Sequence, residues 1–140
     1  MKSKNLDYWL SKKGFEYEYQ QQGRTQAGDI TYKSQEQWLL DYIRVLAGRS
    51  YRSLRVLDYG CGFGRFARLL SKEANIEYYG FDISSTMVQP LLDRPPIELN
   101  PIESRVKIGK TLDEAFPSIS FDFIFTVSVM MHQEPKSVPE

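Results

Sequence analysis

Val56-Leu57-Asp58-Tyr59-Gly60-Cys61-Gly62-Phe63-Gly64 decides how the rest of this 140-residue chain is read. Arg55 to Tyr59 is a short apolar run of the kind that a parallel strand buried on both faces requires. Three glycines in alternate positions then end it. Gly60 supplies the positive φ of a tight turn, while Gly62 and Gly64 leave room for a ligand against the main chain. Phe66, Leu69 and Leu70 continue at helical spacing, which predicts a helix from near Phe63 to about Glu73. The unpaired N–H groups at its start would face the same ligand. Asp58, at the end of the strand, sets a carboxylate where an amine would be held, directly or through water. A dinucleotide loop, G-x-G-x-x-G, would need glycine where Arg65 stands, so the spacing disfavours a nicotinamide dinucleotide.

Downstream, Ile76 to Ile83 predicts a second strand, with Asp82 at its end, eighteen residues after Gly64. A carboxylate there accepts hydrogen bonds from both hydroxyls of a ribose. Ser84 or Ser85 caps a helix containing Met87, Val88, Leu91 and Leu92. Pro95, Pro96 and Pro101 keep residues 93–104 from forming long regular structure. Arg105 to Gly109 gives a third strand, Leu112–Phe116 a helical turn, and Phe121 to Met130 a strongly apolar fourth strand. Upstream, residues 5–13 predict a short helix, and Gly14 to Tyr32, including Ala27-Gly28-Asp29, reads as polar loop. Ser34 with Gln37 forms a capping-box pattern at the start of an amphipathic helix that Gly48 ends. Strands alternating with helices at this spacing predict an α/β fold with a parallel sheet.

Composition sets the outer bounds. Hydrophobic residues make up 41% and charged residues 26%, and the formal net charge is zero. No overall field draws the chain to nucleic acid or to an anionic membrane. Residues 1–56 hold ten Lys/Arg against six Asp/Glu, an excess that suits a solvated helical face. Cys61 is the single cysteine, so neither a disulfide framework nor a zinc cluster is expected, and no metal site is assigned. Its neighbours are glycines and nothing in the sequence ionises it, so it reads as a small loop residue. The N-terminus lacks the apolar run of a signal peptide, and no stretch has the length of a bilayer span. A cytoplasmic location is the expectation.

The motifs together resemble the class I S-adenosylmethionine-dependent methyltransferases. Val56-Leu57-Asp58-x-Gly60-Cys61-Gly62-x-Gly64 is similar to their first motif, and Gly80-Phe81-Asp82-Ile83-Ser84 with Met87-Val88 to their second. Phe121-Asp122-Phe123-Ile124 and the following Val127-Ser128-Val129-Met130-Met131-His132 are similar to their fourth strand and its exit. Tyr8-Trp9, Gly14 and Gln35-Glu36 loosely resemble the lead-in of some members. The resemblance implies a Rossmann-like three-layer α/β/α fold over residues 51–140, preceded by a helical lead-in over 1–50. It covers about residues 34–134.

That resemblance also implies roles. Asp58, Gly60, Cys61, Gly62, Phe63 and Gly64 would hold the methionine moiety of S-adenosyl-L-methionine, and Asp82 the ribose. Ile83 and Met87 would pack on the adenine, with Lys110 and Leu112 flanking its edge and Val127 nearby. The family often has an acidic residue where Lys110 stands, and lysine cannot accept a bond from the adenine amino group. His132, the only histidine, follows the fourth strand and is the candidate base for a hydroxyl acceptor. The Asp/Asn-Pro-Pro-Tyr/Phe signature of nucleic-acid base methylation is absent, since Ser128-Val129-Met130-Met131 occupies that region. A small molecule or sugar is therefore the expected acceptor. Only about four of the family's seven strands are present, which would leave the last as an apolar edge open to association. The alternative is a non-catalytic cofactor-binding or docking module completed by a partner chain.

Overall fold

A computed structural model describes residues 4–14 and 26–127. Four strands form one parallel sheet: β1 (Leu54–Tyr59), β2 (Ile76–Asp82), β3 (Val106–Ile108) and β4 (Phe123–Phe125). Their order is β3-β2-β1-β4. The chain thus moves one way from β1 to β2 to β3, then returns to the other side of β1 with β4. Ligands of open α/β sheets settle outside the carboxyl ends of the strands, at such a reversal. That end of β1 carries Asp58 and the glycine loop.

Register explains which side chains meet. Val56 pairs with Tyr78 and Phe123, and Asp58 pairs with Gly80 and Phe125. Since alternate residues share a face, Val56, Asp58, Tyr78 and Phe125 lie on one side of the sheet, while Leu57, Tyr79 and Phe81 lie on the other. The first face is covered by α2 (Gln26–Gly48), α3 (Arg65–Leu70) and α4 (Ser85–Asp93). Their buried side chains, among them Ile43, Ala67, Leu70, Val88 and Leu91, make the larger core with Val56 and Tyr78. The second face packs Leu57, Tyr79 and Phe81 against Phe116, which follows the short α5 (Leu112–Ala115).

Several elements differ from the sequence expectations. Helix α2 begins at Gln26, so Ala27-Gly28-Asp29 is helical and Ser34 lies inside the helix instead of capping it. Tertiary contacts account for this. The Arg65 guanidinium sits 4.5 Å from the Tyr32 ring centroid, bonds Gln35 Oε1 at 3.1 Å and pairs with Glu36 at 3.3 Å. These contacts hold the turns on both sides of Ser34 in one helix. Helix α3 covers six residues rather than the expected span from Phe63 to Glu73, because the left-handed Gly64 delays its start. Strand β4 is three residues long, and the chain has left the sheet by Thr126. The part of the expected strand beyond Val127 lies outside the described residues. So does His132.

Two further features position the site. The lead-in helix α1 (Lys4–Ser11) packs beside α4, with Thr86 Oγ1 donating to the Lys12 carbonyl at 2.6 Å. Thr86 sits in the first turn of α4, at the carboxyl end of the sheet, so the lead-in docks near the glycine loop. At the opposite end, Arg52 makes a bidentate pair with Asp122, at 2.8 and 2.6 Å, and Asp122 also accepts from Arg55 N–H at 2.8 Å. This stitches the start of β4 to the start of β1. Strand β4 is an edge of the described sheet, with Ile124 54% exposed.

Candidate functional site

The loop after β1 is built by its glycines and held by Asp82. Gly60, Gly62 and Gly64 have φ of 86°, 48° and 88°, in the left-handed region where a Cβ is strained. Gly60 N–H and Cys61 N–H both donate to the Phe81 carbonyl, at 2.7 and 3.0 Å, fastening the turn to the end of β2. Gly62 N–H donates to Asp82 Oδ2 at 2.9 Å, and Ser84 N–H to Asp82 Oδ1 at 2.9 Å. Asp82 therefore joins the glycine loop to the cap of α4. The Ile83 N–H also acts on this carboxylate, so three of its roughly four acceptor positions are engaged and one stays open. A ribose hydroxyl can use that remaining position.

Asp58 is buried and Asp82 half-buried, and both carboxyl groups are pushed above the usual range. For Asp82, burial is the main cause, offset by the backbone N–H groups of Ser84, Gly62 and Ile83. For Asp58, burial raises the value to about 7 against a hydrogen bond from Tyr78, and the nearby Asp82 charge adds to the rise. Asp58 is 2% exposed. So little open surface favours coupling to an amine through water or through the field beneath the loop over a direct contact. Cys61 is buried, and burial pushes its thiol well up, which keeps it protonated and unreactive.

Other expected residues fall into distinct places. Gly64 faces Leu91: a Cβ built there would lie 2.7 Å from Leu91 Cδ1, so the space beside it belongs to core packing. Met87 is buried, and its methyl lies 3.6 Å from a Cβ built on Gly62, beside the loop. Ile83 and Leu112 pack together with the second-face cluster. Lys110 is exposed in the bend after β3. Phe63 is half-buried in the loop itself. Val127, the last described residue, packs against the larger core. The structure thus brings Asp58, Gly60, Cys61, Gly62, Asp82 and Met87 together around the carboxyl ends of β1 and β2.

One residue of this constellation, Tyr78, escapes a motif search. Tyr78 donates its hydroxyl to Asp58 Oδ2 at 2.9 Å from two residues back along β2. Gly80 lies between them in register, and a Cβ there would stand 3.1 Å from the Tyr78 hydroxyl and 3.0 Å from Cys61 Sγ. The signal was present as parity: with Val56 opposite Tyr78, Asp58 and Tyr78 share a face.

A sheet of this order with a glycine turn at the carboxyl end of β1 and an acidic residue ending β2 is a Rossmann-like arrangement of the nucleotide-binding kind. Similarity to known proteins narrows the class. A family model described as a methyltransferase domain matches residues 56–140, more than half of the chain. The chain belongs to this family, the class I S-adenosylmethionine-dependent methyltransferases.

A curated relative, 2-methyl-6-phytyl-1,4-hydroquinone methyltransferase of Synechocystis, is 31% identical over 85 residues, which are 59% of this chain and 25% of the relative. The magnesium protoporphyrin IX methyltransferase of Synechocystis, solved with S-adenosylhomocysteine bound, superposes with a TM-score of 0.58 at 20% identity. That match covers 91% of this chain and 58% of the other. The methyltransferase domain of bacterial CtHen1 gives 0.55 at 20% identity, over 73% and 52% of the two chains. At such identities the structural matches speak for the fold. The chain spans a quarter of the curated relative's length and just over half of these two structures.

Proposed function

We propose that this chain binds S-adenosyl-L-methionine at the carboxyl ends of β1 and β2 and contributes that site to methyl transfer onto a small-molecule acceptor. The observation that carries the reading is the joint hold of Asp82 on Gly62 and Ser84, which fixes a carboxylate with acceptor capacity to spare beside the glycine turn. Asp82 would take a ribose hydroxyl. Gly60, Cys61, Gly62 and Phe63 would line the methionine end, with the Asp58 charge beneath them. Met87 would sit against the ligand beside Gly62, its thioether adaptable to an aromatic ring. Ile83, Leu112 and Lys110 flank the same end of the sheet from the other face, as an adenine edge would need. Gly64 serves the turn through its φ and its packing on Leu91.

Bound there, the cofactor supplies an electrophilic methyl group. The chain's share is to orient it and keep water from it, since transfer depends on an in-line approach of the acceptor atom. His132 remains the candidate base where the acceptor is a hydroxyl. A quinol or tetrapyrrole type of acceptor, named for the Synechocystis relatives, has more support than a sugar, which none of them names.

Isothermal calorimetry with S-adenosylhomocysteine tests the site. The folded chain is expected to bind about one equivalent, and NADH should not compete. A folded sample that takes up no S-adenosylhomocysteine would refute the reading. So would NADH binding with equal affinity.

A further inference from the structure

Tyr78 is a long, fully buried side chain whose hydroxyl reaches the Asp58 carboxylate at the end of β1, just before the glycine loop. Its ring follows the sheet past Gly80 to arrive there, and only the missing Cβ at position 80 leaves the path open. A buried tyrosine needs a hydrogen-bond partner, but most find a backbone carbonyl, which imposes no charge. Here the partner is a carboxylate with 2% exposure. A bond donated to a carboxylate stabilises its ionised form over its protonated one.

Resting on the cofactor-site reading above, we propose that Tyr78 is a positioning residue that favours the ionised form of Asp58 and aims it beneath the methionine end of S-adenosylmethionine, so that its hydroxyl sets the pH range over which the cofactor binds.

The groups around Asp58 define what else acts on it. From β2 come Tyr78 and the Asp82 carboxylate, from the loop the Cys61 thiol, and from α3 the Arg65 guanidinium, whose charge opposes that of Asp82. Its pairing partner on β4, Phe125, brings no charge. Of these described groups, Tyr78 is the one joined to Asp58 by a side-chain hydrogen bond, so its hydroxyl is the local counterweight to burial. With Asp58 raised to about 7, cofactor affinity should climb as pH rises through neutrality, because the ligand ammonium favours the ionised carboxylate. Removing the hydroxyl should move that climb to higher pH.

The test is S-adenosylhomocysteine affinity by calorimetry from pH 5.5 to 8.5 on the 140-residue chain, its Tyr78→Phe variant and its Asp58→Asn variant. Phenylalanine keeps the ring, and circular dichroism checks that the fold is retained. The ligand's own titration is common to all three and cancels in the comparison. Tyr78→Phe is expected to shift the midpoint up by about one pH unit, weakening binding roughly tenfold on the acid side. Asp58→Asn should flatten the step. A carbon-13 NMR titration of the Asp58 carboxyl without ligand gives a second reading, and should show the same upward shift in Tyr78→Phe. If Asp58→Asn flattens the step while Tyr78→Phe keeps the wild-type midpoint in both measurements, Tyr78 only packs and the inference falls. If Asp58→Asn keeps the wild-type profile, Asp58 does not sense the ligand, and both this inference and the role given to Asp58 fall. Failure of the wild-type chain to bind would instead overturn the function proposed above.

Discussion

The two ends of the sheet handle aspartate in opposite ways. At the amino ends of β1 and β4, Asp122 meets Arg52 in a bidentate pair beside the Arg55 N–H, and its carboxyl falls to about 2, chiefly through the Arg52 bond. At the carboxyl ends, buried Asp58 and half-buried Asp82 have no cationic hydrogen-bond partner among the described contacts, and both rise. The first arrangement joins strands. The second costs stability at neutral pH, and a fold keeps such a cost where a ligand can use the charge. Which end holds the site is thus read from the electrostatics as well as from the glycines.

The largest expected break in this comparison is at Gly64. Alanine there meets a φ of 88° and the Leu91 methyl. Gly64→Ala should cost about 2–3 kcal/mol in urea unfolding, from left-handed strain plus overpacking. A cost under about 0.5 kcal/mol would remove the packing role of the turn.

Asp58→Asn should act in the other direction. A carboxyl raised from 3.8 to about 7 in the folded state binds its proton more tightly there than in the unfolded chain. Its contribution to stability is therefore full below about pH 4 and lost as pH rises through 7. Asparagine keeps an acceptor for Tyr78 and carries no charge. At pH 8 the variant should be about 1–3 kcal/mol more stable than the wild type, and the gain should vanish near pH 4. Urea unfolding at both values checks the sign, and a variant that is less stable at pH 8 would show that Asp58 is not a buried cost.

Thr86→Val probes how the lead-in is tied to this end. Loss of the bond to the Lys12 carbonyl should remove about 1 kcal/mol. Faster hydrogen exchange over residues 8–14, with the sheet unchanged, is the expected readout. Smallest of all is Asp122→Asn. Since the carboxyl is lowered, its stabilising effect is present above about pH 4 and lost as pH falls toward 2. The variant should lose a few degrees of thermal midpoint at pH 7, match the wild type near pH 2, and bind S-adenosylhomocysteine unchanged. A change in binding would blur the separation of the two ends.

The sequence made one end far more legible than the other. Alternate glycines and the strand-end carboxylates are local patterns, so β1, β2, the turn and the family resemblance could be read directly from residues 54–88. The continuation of α2 to Gln26 could not, because it rests on Arg65 reaching back to Tyr32, Gln35 and Glu36. A capping-box pattern at Ser34 is no stop signal when a later element holds the preceding turn. Apolar character likewise overstated β4: Phe121 to Val127 is apolar for packing on both clusters, while only three residues pair with β1. The role of Tyr78 was visible only once the register was known. A tyrosine in a strand has no signature of its own, and its meaning comes from facing Asp58.

The central claim is that Asp82 holds a ribose while it holds the loop. Calorimetric titration of S-adenosylhomocysteine into the wild-type chain and Asp82→Ala at pH 8 tests it most directly. One equivalent should bind the wild type, and the variant should lose at least tenfold in affinity, in line with hydrogen bonds to a charged group. Equal affinity in the two folded proteins would contradict the assignment.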